Sequence, residues 1–421
     1  MRHLLLLLAA ALGAGLASAG EPSQPWTFSA ARLRPFWLST TMDGKSVLFI
    51  KVSEDGRPRA SLLFEPTRIL SVCSSSGEVT YKEGRDYLWK PGTKEILLPP
   101  GSRIVFKTPQ DLRWPAKSQR HALTHRDGNG EILFGPTHQY HDMQTVVSYT
   151  HRGDEWAGPK LSFAGDRLPR TIRKLSQKQP LTIALLGDSI STGCNASGWA
   201  NVAPRQPPYQ ELLVRNLKAA YGAEVTLKNF AVGGTDTAWG LRTIDKVIEA
   251  KPDLVILAFG MNDAARRPAK DYQANIRSMV DAVRKANRET EFILVATMLG
   301  NKDWTHLHHE RFPQYRDALA GLCGPGVALA DMTSIWAEML KHKKDWDLTG
   351  NGVNHPNDFG HRVYAQVLSS LLIPNPPRQG HSFAPIRPHR IGSRGPISLP
   401  DRGAVAPASD LPGSLESVSL M

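Results

Sequence analysis

The sequence predicts a three-layer parallel α/β domain preceded by an all-β sandwich or jelly-roll domain. Three observations carry that expectation. From Leu181 to about Ala330, aliphatic runs alternate with amphipathic ones, as parallel strands and their covering helices require. From Trp26 to Phe163, short β-rich runs are separated by Gly-containing turns, with no helical period between them. Between the two blocks, residues 164–180 are polar and basic and read as a linker.

Taken in order, residues 1–19 read as a signal peptide. Met1-Arg2-His3 is a short basic region, Leu4 to Leu16 is apolar and small, and Ala17-Ser18-Ala19 has the small-x-small pattern of a cleavage site. The apolar run is too short for a comfortable membrane span, so a secreted or periplasmic protein with no membrane insertion is expected. Over 26–163, strands are expected at Val47–Val52, Arg59–Phe64, Glu78–Tyr81, Glu95–Pro99, Arg103–Phe106 and Thr145–Thr150. Asp43-Gly44, Asp55-Gly56, Pro91-Gly92 and Pro100-Gly101 punctuate them as turns.

The α/β domain is expected over 181–373. It has about five strands, beginning with LTIALLG and continuing through EVTLKNFAV, PDLVILAFG, TEFILVATM and GVALADM. Ile276, Met279, Val280 and Val283 recur at helical spacing, giving one helix the apolar stripe that covers a sheet. Residues 374–421 are rich in Pro, Gly, Ser and Arg without periodicity and are expected to be disordered.

The chain of 421 residues carries a formal charge of +12, but its Lys and Arg are scattered, and no nucleic-acid motif accompanies them. A solvated basic surface is expected, and no nucleic-acid partner. Three cysteines (Cys73, Cys194, Cys323) cannot all pair, so disulfides do not organise the fold. The histidines at 121, 125, 138 and 141 match no standard ligand spacing, nor do His306, His308 and His309. No metal and no cofactor are expected.

Three strands end in unusual residues. The first runs into Gly187-Asp188-Ser189, the second into Gly233-Gly234-Thr235 and the third into Gly260-Met261-Asn262-Asp263. In a parallel sheet these carboxyl ends lie side by side, where open α/β folds place their chemistry. Asn354-His355-Pro356 precedes the final helix. A serine hydroxyl needs a base to become a nucleophile, and histidine is the side chain best tuned to take that proton near neutral pH. An oxyanion would then need preorganised donors. The backbone N–H groups of Ser189 and Gly234 and the side-chain amide of Asn262 would serve.

These blocks resemble the SGNH (GDSL-type) serine hydrolases, whose name records Ser, Gly, Asn and His in this order. The resemblance covers Leu181 to Leu372. It implies a flavodoxin-like sheet and ester hydrolysis through an acyl-enzyme, with Ser189 as nucleophile and His355 as base. Ser189, Gly234 and Asn262 would form the oxyanion hole, and Asp188 would be mostly structural. Asp263 would brace the Asn262 loop, or serve a plain turn or a helix start. One departure stands out: the family usually carries Asp three residues before the histidine, and here that position is Gly352. Asp347 and Asp358 are possible orienting acids, and a Ser-His dyad held by a backbone carbonyl is the other option. A β-sandwich ahead of such a domain resembles the arrangement of carbohydrate esterase family 2.

The expected function is therefore a secreted serine esterase acting on O-acetyl or other short acyl esters, with acylated carbohydrate or another small ester as substrate. The alternatives are a lipase or lysophospholipase on the same scaffold, and a carbohydrate-binding protein with a relic hydrolase domain. The loop from Cys194 to Pro208, with Asn195, Trp199 and Asn201, either shapes the pocket or is an irregular surface connection. Asn195-Ala196-Ser197 matches a glycosylation sequon, but a glycan there would obstruct the site.

Overall fold

The aliphatic runs of the second half form one five-stranded parallel sheet, because strands buried on both faces can tolerate almost no polar side chains. The computed structural model describes residues 26–118 and 123–374. The expected leader, His121 and all but the first residue of the expected tail lie outside them.

The β-domain contains β1 (Thr41–Val47), β2 (Phe49–Ile50), β3 (Arg59–Ser61), β4 (Arg68–Ser74), β5 (Leu88–Trp89), β6 (Glu95–Leu97), β7 (Phe106–Lys107), β8 (Arg113–Trp114), β9 (Glu131–Ile132) and β10 (Thr145–Thr150), with a short helix α1 (Gln139–Met143) before β10. The strands β1, β10 and β4 make an antiparallel sheet in that order. A second sheet runs β5-β6-β3-β2-β7, and β8 pairs with β9. The phenol Oη of Tyr149 on β10 accepts from the Phe64 N–H beyond β3, tying the first sheet to the second.

The strand expected over 47–52 is split at Leu48, where the chain leaves one sheet for the other. Strand β4 lies outside the expected strands, because its mixture of Arg, Ser and Cys with Ile, Leu and Val gives a weak apolar signal. The run expected as a strand at Glu78–Tyr81 contributes only an isolated bridge, Thr80 to Cys73.

The stretch expected as a linker is folded. Helix α2 (Pro169–Ser176) lies inside it, with Leu168, Thr171 and Leu175 buried. The N–H groups of Arg170 and Thr171 in its first turn donate to the buried carboxylate of Glu291. The segment looked like a linker because its exposed face carries nearly all its charge.

The parallel sheet comprises β11 (Leu181–Gly187), β12 (Val225–Asn229), β13 (Leu254–Ala258), β14 (Glu291–Ala296) and β15 (Val327–Asp331), ordered β12-β11-β13-β14-β15. This is the flavodoxin-like order, with the switch point beside β11. The helices that follow β11 are α3 (Ser189–Thr192) and α4 (Tyr209–Tyr221), and α5 (Thr237–Thr243) and α6 (Asp245–Glu249) follow β12. After them come α7 (Ala269–Ala286), α8 (Arg311–Ala320), α9 (Met332–Leu340), α10 (Asp345–Leu348) and α11 (Asp358–Leu372).

Every residue of α11 except Asp358 is buried, which a two-layer surface helix would not be. The β-domain covers its outer side, and the helix's polar residues bond across that boundary. The guanidinium of Arg362 donates to the carbonyls of Asp43 and Gly44, and the amide of Gln366 donates to the Arg32 carbonyl. The three cysteines are unpaired thiols.

Candidate active site

Because β12, β11 and β13 are neighbours, the turns after them meet at one edge of the sheet. Asp188 caps the short helix α3, its Oδ1 accepting from the Ile190 N–H at 3.0 Å. Its Oδ2 finds no hydrogen-bond partner among the described residues, and burial raises the carboxyl to about 7. This cap orients Ser189 as the first residue of α3. The Ser189 Oγ lies 2.8 Å from Nε2 of His355.

His355 reaches that position through a cage built by Asn351. The Oδ1 of Asn351 accepts from the N–H groups of Val353, Asn354 and His355, and its Nδ2 donates to Asn354 Oδ1. Gly350 N–H closes the turn on the His355 carbonyl. Nothing in the spacing of the Asn354-His355-Pro356 block pointed to Asn351. Short Asn side chains that bond their own backbone do this in turns generally.

The other imidazole nitrogen settles what faces His355. Its Nδ1 lies 2.8 Å from Oδ1 of Asn195. The Asn195 Nδ2 donates to the carbonyls of Thr137 at 2.7 Å, Gly350 at 3.1 Å and Gly135 at 3.3 Å. Those carbonyls can only accept, so the amide must present its NH2 to them and its oxygen to the imidazole. His355 then carries its proton on Nδ1 and turns the lone pair of Nε2 toward the Ser189 hydroxyl, the tautomer a general base needs. Burial, with a smaller push from His361, lowers the imidazole to about 3 and keeps it neutral.

Neither acid proposed from the sequence approaches His355. Asp347 accepts from the N–H groups of Leu48 and Lys344 and from the ammonium of Lys343. It thereby satisfies the backbone where β1 gives way to β2. Asp358 Oδ1 accepts from the Ser197 N–H at 2.8 Å. Both carboxylates are consumed by backbone donors that burial leaves without water. The dyad held by a backbone carbonyl is not what the geometry has either, since a side-chain amide takes that place.

The donors at the sheet edge are arranged as follows. Gly234 has φ +76°, a conformation that favours glycine. The N–H groups of Ser189 and Gly234 donate to no other described residue. Asn262 donates one amide hydrogen to the Thr235 carbonyl at 2.8 Å, which fixes the side chain and leaves the second hydrogen available. Asp263 both braces this loop and starts a helix, being the first residue of the 3-10 turn Asp263–Ala265. Its buried carboxylate accepts from the N–H and hydroxyl of Thr237 and from Arg267 Nε. Arg267 also bridges to Asp236, the cap of α5, at 2.8 Å. Arg267→Ala would strand the Asp263 carboxylate in the interior and should cost about 3 kcal/mol, measured as the loss in unfolding free energy in urea.

The remaining histidines have other partners. His125 lies by Asp127 and Asp303, His138 by Asp142, and His141 donates to the Ala203 carbonyl. The ring of His306 lies 5.2 Å from that of Trp304, His308 lies by Glu310, and His309 donates to the Gly300 carbonyl. Among the described residues, no group of three or more His, Cys, Asp or Glu side chains is placed to hold a metal ion. In the loop from Cys194 to Pro208, Trp199 and Asn201 lie on the exposed side, while Asn195 is buried with its amide fully engaged.

Residues 185–363 match the model of the GDSL-like lipase/acylhydrolase family. The chain carries a GDSL-like acylhydrolase domain. That domain is built on the parallel sheet, with a β-domain ahead of it. Among curated proteins none matches the sequence.

Among solved structures, the chain is similar to a two-domain esterase active on acetylated mannans, co-crystallised with mannopentaose. That likeness has 22% identity and TM-score 0.40, and covers 49% of this chain and 53% of that one. The chain thus spans about half the length of that esterase. It is also similar to a catalytic mutant of Axe2, an acetylxylan esterase from Geobacillus stearothermophilus, at 20% identity and TM-score 0.38, covering 45% of this chain and 92% of that one. A lipase from a goat rumen metagenome gives 18% identity and TM-score 0.37, covering 45% of this chain and 95% of that one.

Proposed function

We propose that this protein is an exported esterase that removes acetyl or another short acyl group from carbohydrate through a covalent acyl-enzyme on Ser189. The observation that carries the chemistry is the row of Ser189 Oγ, the His355 imidazole and Asn195 Oδ1, joined by two hydrogen bonds of 2.8 Å, with the Ser189, Gly234 and Asn262 donors at the same sheet edge. In the first step Ser189 Oγ attacks the acyl carbonyl while Nε2 of His355 takes its proton. The oxyanion is received by the N–H groups of Ser189 and Gly234 and by the free amide hydrogen of Asn262. Collapse breaks the ester bond, and His355 returns the proton to the leaving sugar oxygen. Water then attacks the acyl-serine, again giving its proton to His355, which returns it to Ser189 Oγ as the acid departs.

The preference for a short acyl group rests on burial. Ser189 is 1% exposed, His355 5% and Asn262 9%, which leaves little room for a long chain beside the hydroxyl. The sugar rests on the β-domain that precedes the acylhydrolase domain and on the leader-like first 19 residues. The test compares p-nitrophenyl esters from acetyl to palmitoyl and measures acetate released from acetylated polysaccharides. The acetyl ester should exceed the octanoyl ester at least tenfold in kcat/KM, with acetate released from a polysaccharide. A preference for long chains would favour a lipase or lysophospholipase. Failure of a fluorophosphonate probe to label Ser189 would favour a relic hydrolase in a binding protein.

A further inference from the structure

The imidazole of a serine hydrolase needs a partner for Nδ1, and the position where this family usually supplies one is closed. Gly352 has φ +80°, and a Cβ there would run into the Tyr140 phenol from the β-domain and come within 2.8 Å of the Leu133 carbonyl. The Tyr140 hydroxyl donates to that same carbonyl at 3.0 Å. Asn195 takes the role from the opposite side, out of the turn after the nucleophile helix, with a positive φ of 65° that asparagine tolerates.

Two of the three carbonyls that orient its amide, those of Gly135 and Thr137, belong to the β-domain. The same domain holds the rest of the loop: Trp26 N–H donates to the Pro204 carbonyl and His141 Nε2 to the Ala203 carbonyl.

We infer that Asn195 is the positioning residue for His355, set by backbone carbonyls of the β-domain, so that the catalytic row is completed across the domain boundary. This rests on Ser189 and His355 being nucleophile and base. The three carbonyls demand a donor, which selects asparagine over aspartate: a carboxylate at 195 would turn one anionic oxygen toward three carbonyl oxygens. A neutral amide fixes the tautomer and the ring plane without stabilising an imidazolium.

The other titratable groups around the row are tied elsewhere. His361 on α11 accepts from the Tyr209 N–H and donates to the Cys194 carbonyl. Asp188 caps α3, Asp358 holds Ser197, the Cys194 thiol lies 3.2 Å from the Thr192 hydroxyl, and Tyr140 donates to Leu133. The base is thus free of carboxylate partners, and the acid limb of kcat/KM should fall well below the usual imidazole range.

The test uses the full chain with p-nitrophenyl acetate, reading kcat and KM separately and kcat/KM against pH. Asn195→Ala should lower kcat about 100-fold with KM within about threefold, the span that a well-placed general base contributes. Asn195→Asp, which is isosteric and keeps the test alive if the alanine variant does not fold, should also lose kcat. It should move the acid limb up by at least about one pH unit, because a carboxylate now stabilises the imidazolium.

In the β-domain, Gly135→Ala would bring a Cβ within 2.8 Å of the Tyr140 ring and displace the anchoring carbonyl. It should lower kcat about tenfold with KM unchanged. An Asn195→Ala variant within a few-fold of the parent, an unmoved acid limb in Asn195→Asp, or a Gly135→Ala variant that loses thermal stability but not kcat would overturn the inference. Activity surviving in Ser189→Ala would instead remove the nucleophile assignment on which it stands.

Discussion

Ser189→Ala, His355→Ala and the double variant are expected to lose the same amount of kcat, about 10⁵-fold on p-nitrophenyl acetate. Each residue is useless without the other: the hydroxyl at 2.8 Å from Nε2 becomes a nucleophile only as its proton leaves, and the imidazole has no other substrate-facing task. The losses therefore do not add. A residual acceleration of about 10³-fold over water should remain in all three, supplied by the Ser189 and Gly234 N–H groups and the Asn262 amide, which the substitutions leave in place. Folding should be unaffected in Ser189→Ala, where only a hydroxyl is lost, whereas His355→Ala empties a buried site and should lower stability without unfolding the chain. Single-turnover assays on the three proteins decide it. A double variant clearly worse than either single one would mean that the two side chains act separately.

Gly352→Asp, which writes the family's usual acid back into its usual place, is expected to destroy the enzyme rather than improve it. The new Cβ would overlap the Tyr140 phenol, the backbone would be held at φ +80°, and a carboxylate would be buried against the Leu133 carbonyl. Overpacking, strain and an unpaired buried charge act together, so the loss should exceed about 4 kcal/mol. The displaced Tyr140 would also drag on the segment from Gly135 to Thr137 that seats Asn195, so any folded fraction should have little activity. Urea unfolding and kcat on the same preparation check both parts. A stable, fully active Gly352→Asp variant would show that the β-domain yields easily at this contact.

Much of this was legible in the chain. The run from Leu181 to Gly187 is so uniformly aliphatic that only a strand covered on both sides accommodates it, and its abrupt end at Gly187-Asp188-Ser189 locates the serine at the sheet edge. The same reasoning placed Gly234 and Asn262 beside it, because parallel strands bring their carboxyl ends together whatever the length of the crossover. Less of the β-domain was legible. Its strands are two to seven residues long, and β4 mixes polar and apolar residues along an only partly buried strand. Helix α2 escapes a sequence reading because its two buried positions are outnumbered by three basic ones.

What the sequence determined alone are the properties that local pattern encodes: the alternation of strands and helices over the parallel sheet, the serine, glycine, asparagine and histidine at their ends, and the absence of an acid at 352. Only the tertiary structure decided what holds His355. Nothing in its own loop marks Asn195 as the partner of His355, and its amide acquires direction from the Gly350 carbonyl and from the carbonyls of Gly135 and Thr137, which belong to another domain. Asp347 and Asp358 lie near His355 in the chain but are drawn away by backbone donors that burial leaves unpaired. Proximity in sequence says which groups exist; the competition for hydrogen bonds in a dry interior says which of them meet.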